Sequence, residues 1–287
     1  LSIPPKSARF QMSPEAFPGH LFALALRLRM GLPAPARCMG GRCRCKATKA
    51  GTGRTERAEW DIYGNHLSGQ CGWGGWRIKR HDDVARVLMQ FLRAAGFRAT
   101  DKCFNVYPAC LQHTGGTKTT KRIPDIVATD QNGTTAAYDV MITHPAGRTA
   151  AAHKPLHAAR QGEKGKQAGY DEHKAKCRAQ GSTDPGLGIP LVPLVFETYG
   201  AAGNNVQDLV RGVVRAYSTQ VLNLDDQSAV SYFRSYWTYK VSVAVARDTA
   251  AILHHVPRGD SVPARFKRPT KEDQYRMSVD ARRPFRG

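Results

Sequence analysis

Residues 122–142 read RIPDIVATDQNGTTAAYDVMI, with two apolar, β-forming runs on either side of an Asn-Gly dipeptide. An Asn-Gly pair favours a tight primed turn, in which both central residues take positive φ, so this stretch predicts a β-hairpin. Each arm carries one aspartate among apolar neighbours, Asp125 and Asp139. Pairing the arms brings the two carboxylates to the same region of a sheet. Because a half-buried carboxylate is costly unless a cation holds it, the pair predicts a metal site.

The chain is strongly basic. Its 287 residues include 43 Lys and Arg against 23 Asp and Glu, which gives a formal net charge of +20. Such a field favours a polyanionic partner, because basic groups that bind nucleic acid release its counterions. A soluble basic protein without that partner is the alternative. The length allows one large domain or two small ones, and burial alone can hold a fold of this size.

The cysteines and the apolar runs indicate the compartment. Seven cysteines at irregular spacings do not form a disulfide framework, and they favour a reducing compartment in which cysteine binds metal. The long apolar run at residues 21–26 is too short to cross a bilayer and has no cleavage site after it. We therefore predict no membrane or targeting segment. The sequence opens in mid-pattern, which predicts a piece of a longer polypeptide.

Residues 33–76 are rich in Gly, Arg, Lys and Cys and show little periodicity, which predicts a small loop-rich module. A module of this kind needs a staple to be ordered. Zinc prefers four sulfur or nitrogen ligands in a tetrahedron, and short-spaced pairs close on it with little loss of entropy. The predicted ligands are Cys43, Cys45, His66 and Cys71. Cys38 is an alternative to Cys43, and isolated thiols in a flexible basic loop are the other interpretation.

A core helix is predicted to open at Asp82, which can cap it, and to end at Gly96. Arg80 and His81 then lie just before the helix, where they can contact a phosphate or a nearby carboxylate. For His81 a structural hydrogen bond is the alternative to catalysis.

Other elements surround the hairpin. The patterns predict a helix over residues 14–30 with Ser13 as its cap, a strand over 97–108 that carries Asp101, a strand over 191–196, and helices over 205–221 and 227–253. Residues 149–176 predict a long helical stretch that Pro155 and three glycines weaken or break. Lys166 and Tyr170 share one face of it, and Lys164 and Lys174 are competing lysines. The polar, basic tail from residue 257 is predicted to be disordered.

Two aspartates on paired strands and a lysine near them suit the hydrolysis of phosphodiesters. The carboxylates hold one or two divalent ions, which offset charge on the phosphate and lower the pKa of an attacking water, and the lysine orients or activates that water. The ligands are hard oxygens, so Mg²⁺ is the expected ion.

In these residues the chain resembles a known family. The hairpin with Pro124, Asp125 and Asp139 is similar to the metal-binding core of the PD-(D/E)xK nuclease superfamily. The whole order resembles the restriction-like endonuclease at the C-terminal end of early-branching non-LTR retrotransposon proteins. The motifs that carry it are Leu26-Arg27-Leu28-Arg29, Cys43, Cys45, His66 and Cys71, Arg80-His81-Asp82, the hairpin, Lys166-x-x-x-Tyr170, Val192-Pro193-Leu194-Val195 and Ser235-Tyr236-Trp237.

The resemblance implies roles for particular residues. Asp125 and Asp139 bind Mg²⁺ or Mn²⁺, with Asp101 as the candidate for an upstream acid, and Lys166 with Tyr170 beside it completes the catalytic set. The superfamily often has a lysine two residues after the second acid. That position is Met141 here, so the lysine must come from the following helix. The residues expected to contact nucleic acid are Arg80, His81, Lys121 and Arg122.

The resemblance also implies a setting. A Cys-Cys-His-Cys zinc knuckle precedes an α/β nuclease with a central mixed β-sheet flanked by helices, as in restriction endonucleases. The nuclease nicks double-stranded target DNA in the nucleus, so that an upstream reverse transcriptase, which binds the RNA of the element, can prime on the free 3′ hydroxyl.

The predicted organisation has four parts: an N-terminal helix over 1–32 that ends an upstream domain, the zinc module over 33–76, the nuclease over 77–256 and the basic tail over 257–287. Two other functions stay open. One is a catalytically inactive nucleic-acid-binding domain from a decayed element. The other is a stand-alone resolvase or repair nuclease of the same superfamily, which would cut branched DNA.

Overall fold

The chain alternates helices and strands around the predicted hairpin. A computed structural model describes residues 17–30, 32–33, 43, 45, 47–48, 55–56, 64–67, 71, 75–101, 106–111, 119–120, 122–145, 155–222 and 227–258. In chain order the elements are α1 (Gly19–Arg29), β1 (Ala47–Thr48), β2 (Thr55–Glu56), α2 (Trp76–Ala94), β3 (Arg98–Asp101), β4 (Cys110–Leu111), β5 (Thr119–Thr120), β6 (Ile126–Thr129), β7 (Thr135–Thr143), α3 (His157–Ala179), β8 (Leu191–Glu197), α4 (Asn204–Ala216) and α5 (Gln227–His255).

The central sheet has four strands in the order β3-β6-β7-β8. β3, β6 and β7 are antiparallel neighbours, whereas β7 and β8 run parallel and α3 connects them along the chain. The predicted mixed α/β class, with a central sheet and helices around it, is therefore confirmed. Two small two-stranded sheets, β1 with β2 and β4 with β5, lie outside it.

The hairpin forms as predicted, but its turn is of another kind. The Thr134 amide donates to Asp130 Oδ1 (2.8 Å), and the Gly133 amide donates to the Asp130 carbonyl (3.2 Å). Gly133 has a φ of 84°, and among the described non-glycine residues only Leu156 has positive φ. Asn132 therefore lacks the conformation of a primed turn, and that part of the prediction is wrong. The Asp130 side chain stabilises a wider loop that needs one left-handed residue.

Different helices cover the two faces of the sheet. One face enters the main core with side chains of α2, α4 and α5; its strand residues include Ile126, Tyr138, Val140, Ile142 and Leu194. Strand side chains alternate, so Asp139 and Met141 point to the other face, which α3 covers. α3 packs closely there, because a Cβ on Gly162 would lie 3.0 Å from Val195 Cγ1.

α2 begins before the predicted cap. Its first residue is Trp76, its N-cap position is Gly75, and Asp82 lies inside the helix. The prediction that Asp82 caps α2 is therefore wrong. The physical reason is burial, since Trp76, Arg80 and Asp83 extend the buried face of the helix toward its N-terminus. Arg80 and His81 lie within α2 and not ahead of it.

α3 is continuous in spite of its glycines. It runs from His157 to Ala179, and Pro155 lies just before it, while residues 146–154 are outside the described ranges. Each glycine costs a helix about 1 kcal/mol relative to alanine. Packing against β8 outweighs that cost, because burial of one helical face contributes more than propensity does.

A second core joins the N-terminal part of the chain to α5. It contains Leu21, Leu24 and Leu28 of α1, the buried Cys43 and Cys71, and Ala250, Ile252 and Leu253 of α5. The same helix contributes Val241 and Val245 to the main core. α5 therefore contributes side chains to both cores.

The remaining helices compare well with the predictions. α1 begins at Gly19 with Pro18 at its N-cap, and the predicted cap Ser13 lies outside the described residues. α4 continues as a π-helix over Tyr217–Leu222, and α5 covers the predicted range of 227–253. The predicted strand over 97–108 is confirmed for Arg98–Asp101 alone within the described ranges. No helix among the described residues is both long and apolar enough to cross a membrane.

Candidate functional site

Asp125 and Asp139 lie side by side where the two arms of the hairpin meet. Ile126 pairs with Tyr138, so the next pair along the antiparallel ladder is Asp125 with Asp139. Asp125 Oδ2 accepts a hydrogen bond of 2.8 Å from the Val140 amide, which fixes that carboxylate. Asp139 is only 5% exposed. The hairpin therefore brings the two carboxylates together on the α3 side of the sheet.

His81 reaches the same carboxylates from α2. Its Nε2 lies 2.9 Å from Asp125 Oδ2, and its Nδ1 lies 3.1 Å from Asp82 Oδ1. Burial alone would lower the pKa of His81, but its hydrogen bonds to Asp125 and Asp82 raise that pKa to about 9. Burial would likewise raise the pKa of Asp125, and the hydrogen bond with His81 holds it below its usual value. At pH 7 His81 is thus an imidazolium beside an ionised Asp125.

Lys166 reaches Asp139 from α3. Its Nζ donates to Asp139 Oδ2 at 2.8 Å, and about a third of the lysine side chain stays exposed, 33%. Burial and the neighbouring Asp125 raise the pKa of Asp139 to about 6, although Lys166 acts in the opposite direction. Asp139 is therefore a carboxylate whose ionisation costs free energy unless further positive charge lies close.

The geometry separates Lys166 from the two competing lysines. Lys164 is exposed, and Lys174 donates to the Ile189 carbonyl at 2.6 Å. Met141, two residues after Asp139 on β7, lines the cavity beside Lys166. Of the three candidates on α3, only Lys166 contacts a site carboxylate.

Tyr170 lies one turn after Lys166 and is 3% exposed. Its ring makes an edge-on contact with Tyr107, with centroids 5.5 Å apart, and the Arg122 guanidinium lies 5.8 Å from its centroid. Burial and the charge of Asp139 raise the pKa of Tyr170 far above its usual value. Its hydroxyl therefore stays protonated and can act only as a neutral hydrogen-bonding group.

A cavity of about 570 Å³ opens beside these residues. Its wall includes Arg122, His144, His157, Gly165, Lys166 and Tyr170. Basic and imidazole side chains thus border the same space as the Lys166 ammonium. A groove of this character suits an anionic ligand.

Two other predicted residues do not join the site, and a third lies outside the described residues. Arg80 is only 1% exposed and donates to Thr249 Oγ1 at 3.1 Å, so the prediction that it contacts nucleic acid is wrong. Asp101 pairs with Ile126, whose side chain faces the main core, and so it lies on the opposite face from Asp125. The prediction of Asp101 as an upstream acid is wrong for that reason. Lys121 lies outside the described residues.

The four predicted zinc ligands converge. Cys43 Sγ lies 3.2 Å from Cys71 Sγ, and Cys45 Sγ lies 3.1 Å from His66 Nε2. One ligand atom from each of the four residues falls within 4.8 Å of all the others. Three sulfurs and one imidazole nitrogen match the donor set of a structural zinc site, so this cluster could bind a metal such as zinc. The alternative ligand Cys38 lies outside the described residues.

Two further groups of donors lie close together. His81, Asp125 and Asp139 offer atoms within 4.8 Å of one another, and so do Cys110, His173 and Cys177. The second group was not predicted from the sequence. His173 and Cys177 are four residues apart on one face of α3, and that spacing is the signal that could have identified them. Cys110, on β4, becomes their neighbour only through the tertiary fold.

The sequence matches no protein-family profile and no curated protein. The functional assignment therefore depends on the geometry and on the motifs themselves.

Proposed function

We propose that this chain is the metal-dependent DNA endonuclease domain of a retrotransposon protein, which nicks target DNA by phosphodiester hydrolysis and thereby primes reverse transcription. The observation that carries the proposal is the meeting of Asp125, Asp139 and Lys166 beside an open cavity. A central mixed sheet with its acidic residues on neighbouring strands is also what the resemblance to PD-(D/E)xK nucleases implies.

The metal ion in this proposal is Mg²⁺ or Mn²⁺, held by the carboxylates of Asp125 and Asp139. Two carboxylates this close repel each other, and the raised pKa of Asp139 reflects burial together with that repulsion. A divalent cation relieves the repulsion, and hard oxygen ligands suit both ions. When bound, the ion offsets charge on the phosphate and lowers the pKa of an attacking water.

The side chains of this chain then have distinct tasks. Lys166 contacts Asp139 and also borders the cavity, so its ammonium can donate a hydrogen bond to a water or to a phosphate oxygen there. His81 fixes the orientation of Asp125 through its 2.9 Å contact. Tyr170, which stays protonated, packs against Tyr107 one turn after Lys166 and so helps to position α3 relative to the carboxylates.

DNA is the proposed substrate because of charge. The net charge of +20 and the Arg122 and Lys166 side chains at the cavity provide the electrostatic attraction that a polyphosphate backbone needs. The zinc knuckle is proposed to help hold the duplex. The upstream reverse transcriptase, the RNA of the element and a nuclear location follow from the retrotransposon assignment and are part of the same proposal.

The test is a nicking assay on supercoiled plasmid with Mg²⁺ or Mn²⁺. Wild-type protein is expected to convert the plasmid to the nicked form, and Asp125→Asn and Asp139→Asn are expected to lose this activity. Asp171→Asn is the matched control, because Asp171 is an exposed aspartate on α3 next to Tyr170. If wild type never nicks with either ion, or if both site variants nick as fast as Asp171→Asn, the endonuclease assignment is wrong.

A further inference from the structure

The cluster of Cys110, His173 and Cys177 lies in the C-terminal half of α3, where His173 follows Lys166 by about two turns. The three side chains are 4%, 4% and 1% exposed, and Leu187 packs over the two thiols. They join α3 to β4, a strand of two residues whose partner strand β5 is equally short. We propose that these three residues form a second zinc site, structural in role and separate from the zinc knuckle.

The distances agree with a tetrahedral metal site. Zinc lies about 2.3 Å from sulfur and about 2.0–2.1 Å from nitrogen, so two such ligands of a tetrahedron stand roughly 3.6 Å apart. Cys110 Sγ lies 3.4 Å from His173 Nδ1, and Cys177 Sγ lies 3.6 Å from His173 Nε2. The distance between Cys110 Sγ and His173 Nδ1 therefore already matches that of two ligands of one zinc ion. The contact of Cys177 is with the other ring nitrogen, but one ligand atom from each of the three residues lies within 4.8 Å of the others, so a shift of the Cys177 thiol of about 1 Å brings it to the same ion.

The histidine is held as a zinc ligand usually is. His173 Nε2 lies 3.0 Å from the Pro108 carbonyl oxygen. A carbonyl oxygen accepts hydrogen bonds and cannot donate them, so Nε2 carries the proton. The lone pair of the neutral ring is then on Nδ1, which faces Cys110. Zinc-binding histidines commonly use their second nitrogen in this way, and the bond fixes both the tautomer and the ring orientation.

A metal ion at this cluster would cross-link α3 to β4 close to the candidate site. Tyr107, three residues before Cys110, packs against Tyr170, which lies three residues before His173. The zinc ion would thus fix the rotation of α3 close to the turn that presents Lys166. Among the described residues, β4 and β5 are two residues long and the apolar clusters beside α3 are small, so a metal ion would add a cross-link between β4 and α3.

The first test is the zinc content of the purified full chain, measured by mass spectrometry. Wild type is expected to hold about two zinc ions per chain, one at each cluster. His66→Ala with Cys71→Ser is expected to hold about one, and the addition of Cys177→Ser is expected to remove it. His157→Ala is the control, because it removes another histidine of α3 and should leave the zinc content unchanged.

A second measurement does not depend on variants at this cluster. In the His66→Ala, Cys71→Ser protein, Co²⁺ should give the thiolate-to-metal absorption of a site with two sulfur ligands, and X-ray absorption should report two sulfurs around the ion. Less than about half a zinc per chain in that protein would overturn the proposal, and so would a Cys110–Cys177 disulfide found by intact mass. Neither measurement uses nuclease activity, so failure here is distinct from failure of the endonuclease assignment.

Discussion

Lys166 Nζ and Asp139 Oδ2 lie 2.8 Å apart although 27 positions separate the two residues in the sequence. The contact forms because the chain continues from β7 into α3, and α3 packs against the face of β7 and β8 to which Asp139 points. A strand that lacks its own lysine, with Met141 in that position, thus acquires an ammonium group from the next element of the chain.

Replacement of Lys166 should abolish most of the proposed nicking activity. Lys166→Ala is expected to lower the rate by a factor of about 10²–10⁴, which is the usual contribution of a positioned proton-transfer or hydrogen-bonding group. Lys164→Ala provides the control, since Lys164 is exposed on the same helix and contacts no site carboxylate in the described residues. Single-turnover nicking of a plasmid measures both variants, and equal rates would show that Lys166 has no catalytic part.

Gly165 should tolerate alanine but not a large side chain. A Cβ at this position meets no atom within 4 Å, so Gly165→Ala is expected to stabilise the protein by up to about 1 kcal/mol through helix propensity. Gly165→Leu projects into the cavity and should weaken DNA binding and nicking while the protein stays folded. Chemical denaturation and a binding titration measure the two effects.

Gly212 offers the matched comparison. It is an exposed glycine of α4 where a Cβ also meets nothing within 4 Å, and it does not line the cavity. Gly212→Leu should therefore leave DNA binding unchanged. If Gly165→Leu binds DNA as well as Gly212→Leu does, the cavity beside Lys166 is not part of the DNA path.

The stability of the metal-free protein should fall at alkaline pH. The folded-state pKa of His81 is raised to about 9 from a usual value of 6.5, so its contribution is fully present below pH 6.5 and is lost as the pH rises through 9. The loss amounts to at most about 3–4 kcal/mol, since one pKa unit corresponds to about 1.4 kcal/mol. Urea denaturation between pH 6 and pH 10 measures it. A His81→Gln protein, which has no imidazole to titrate, should lack this fall; the same slope in both proteins would refute the assignment.

If the cluster of Cys43, Cys45, His66 and Cys71 holds zinc, loss of the ion should destabilise the rest of the fold as well as the N-terminal module. Cys43 and Cys71 belong to the core that α1 and α5 share, so His66→Ala or chelation is expected to lower the melting temperature by roughly 10 °C. Asn65→Ala is the control, because Asn65 lies beside His66 and is not a ligand in the cluster. Thermal unfolding followed by circular dichroism at the helical band measures the effect. A melting temperature for His66→Ala equal to that of Asn65→Ala would mean that this cluster holds no structural metal.

The parts of the site that are close in sequence could be predicted. The turn signal and the apolar pattern predicted the hairpin and brought Asp125 and Asp139 to the same region of the sheet. The register that sets Asp125 opposite Asp139 depends on the wider loop at Asp130, which the Asn-Gly signal did not predict. The spacing of Lys166 and Tyr170 placed both on one helical face. These inferences need only local geometry.

The contacts between distant elements could not be predicted in this way. His81 meets Asp125 across 44 positions, and its direction depends on where α2 begins. That start is set by the buried Arg80, whose partner Thr249 is 169 positions away on α5. Arg80 and His81 were predicted to lie just before the helix, because nothing in the local pattern shows that Arg80 is buried and donates a hydrogen bond to the Thr249 hydroxyl of α5.

The helix that both cores share has a consequence for where the chain would cut. An α-helix rises about 1.5 Å per residue and does not bend easily over two turns. Val245 of α5 lies in the main core under the sheet, and Ile252 lies in the second core with Cys43 and Cys71. The seven positions between them therefore set a spacing of roughly 10 Å between the two cores. If the Cys43, Cys45, His66 and Cys71 module binds the duplex, α5 fixes the distance between the bound DNA and the carboxylates. The nick should then fall at a constant number of base pairs from the gripped bases, whatever their sequence, and the mapping of cleavage positions on several unrelated duplexes would reveal that constant offset or its absence.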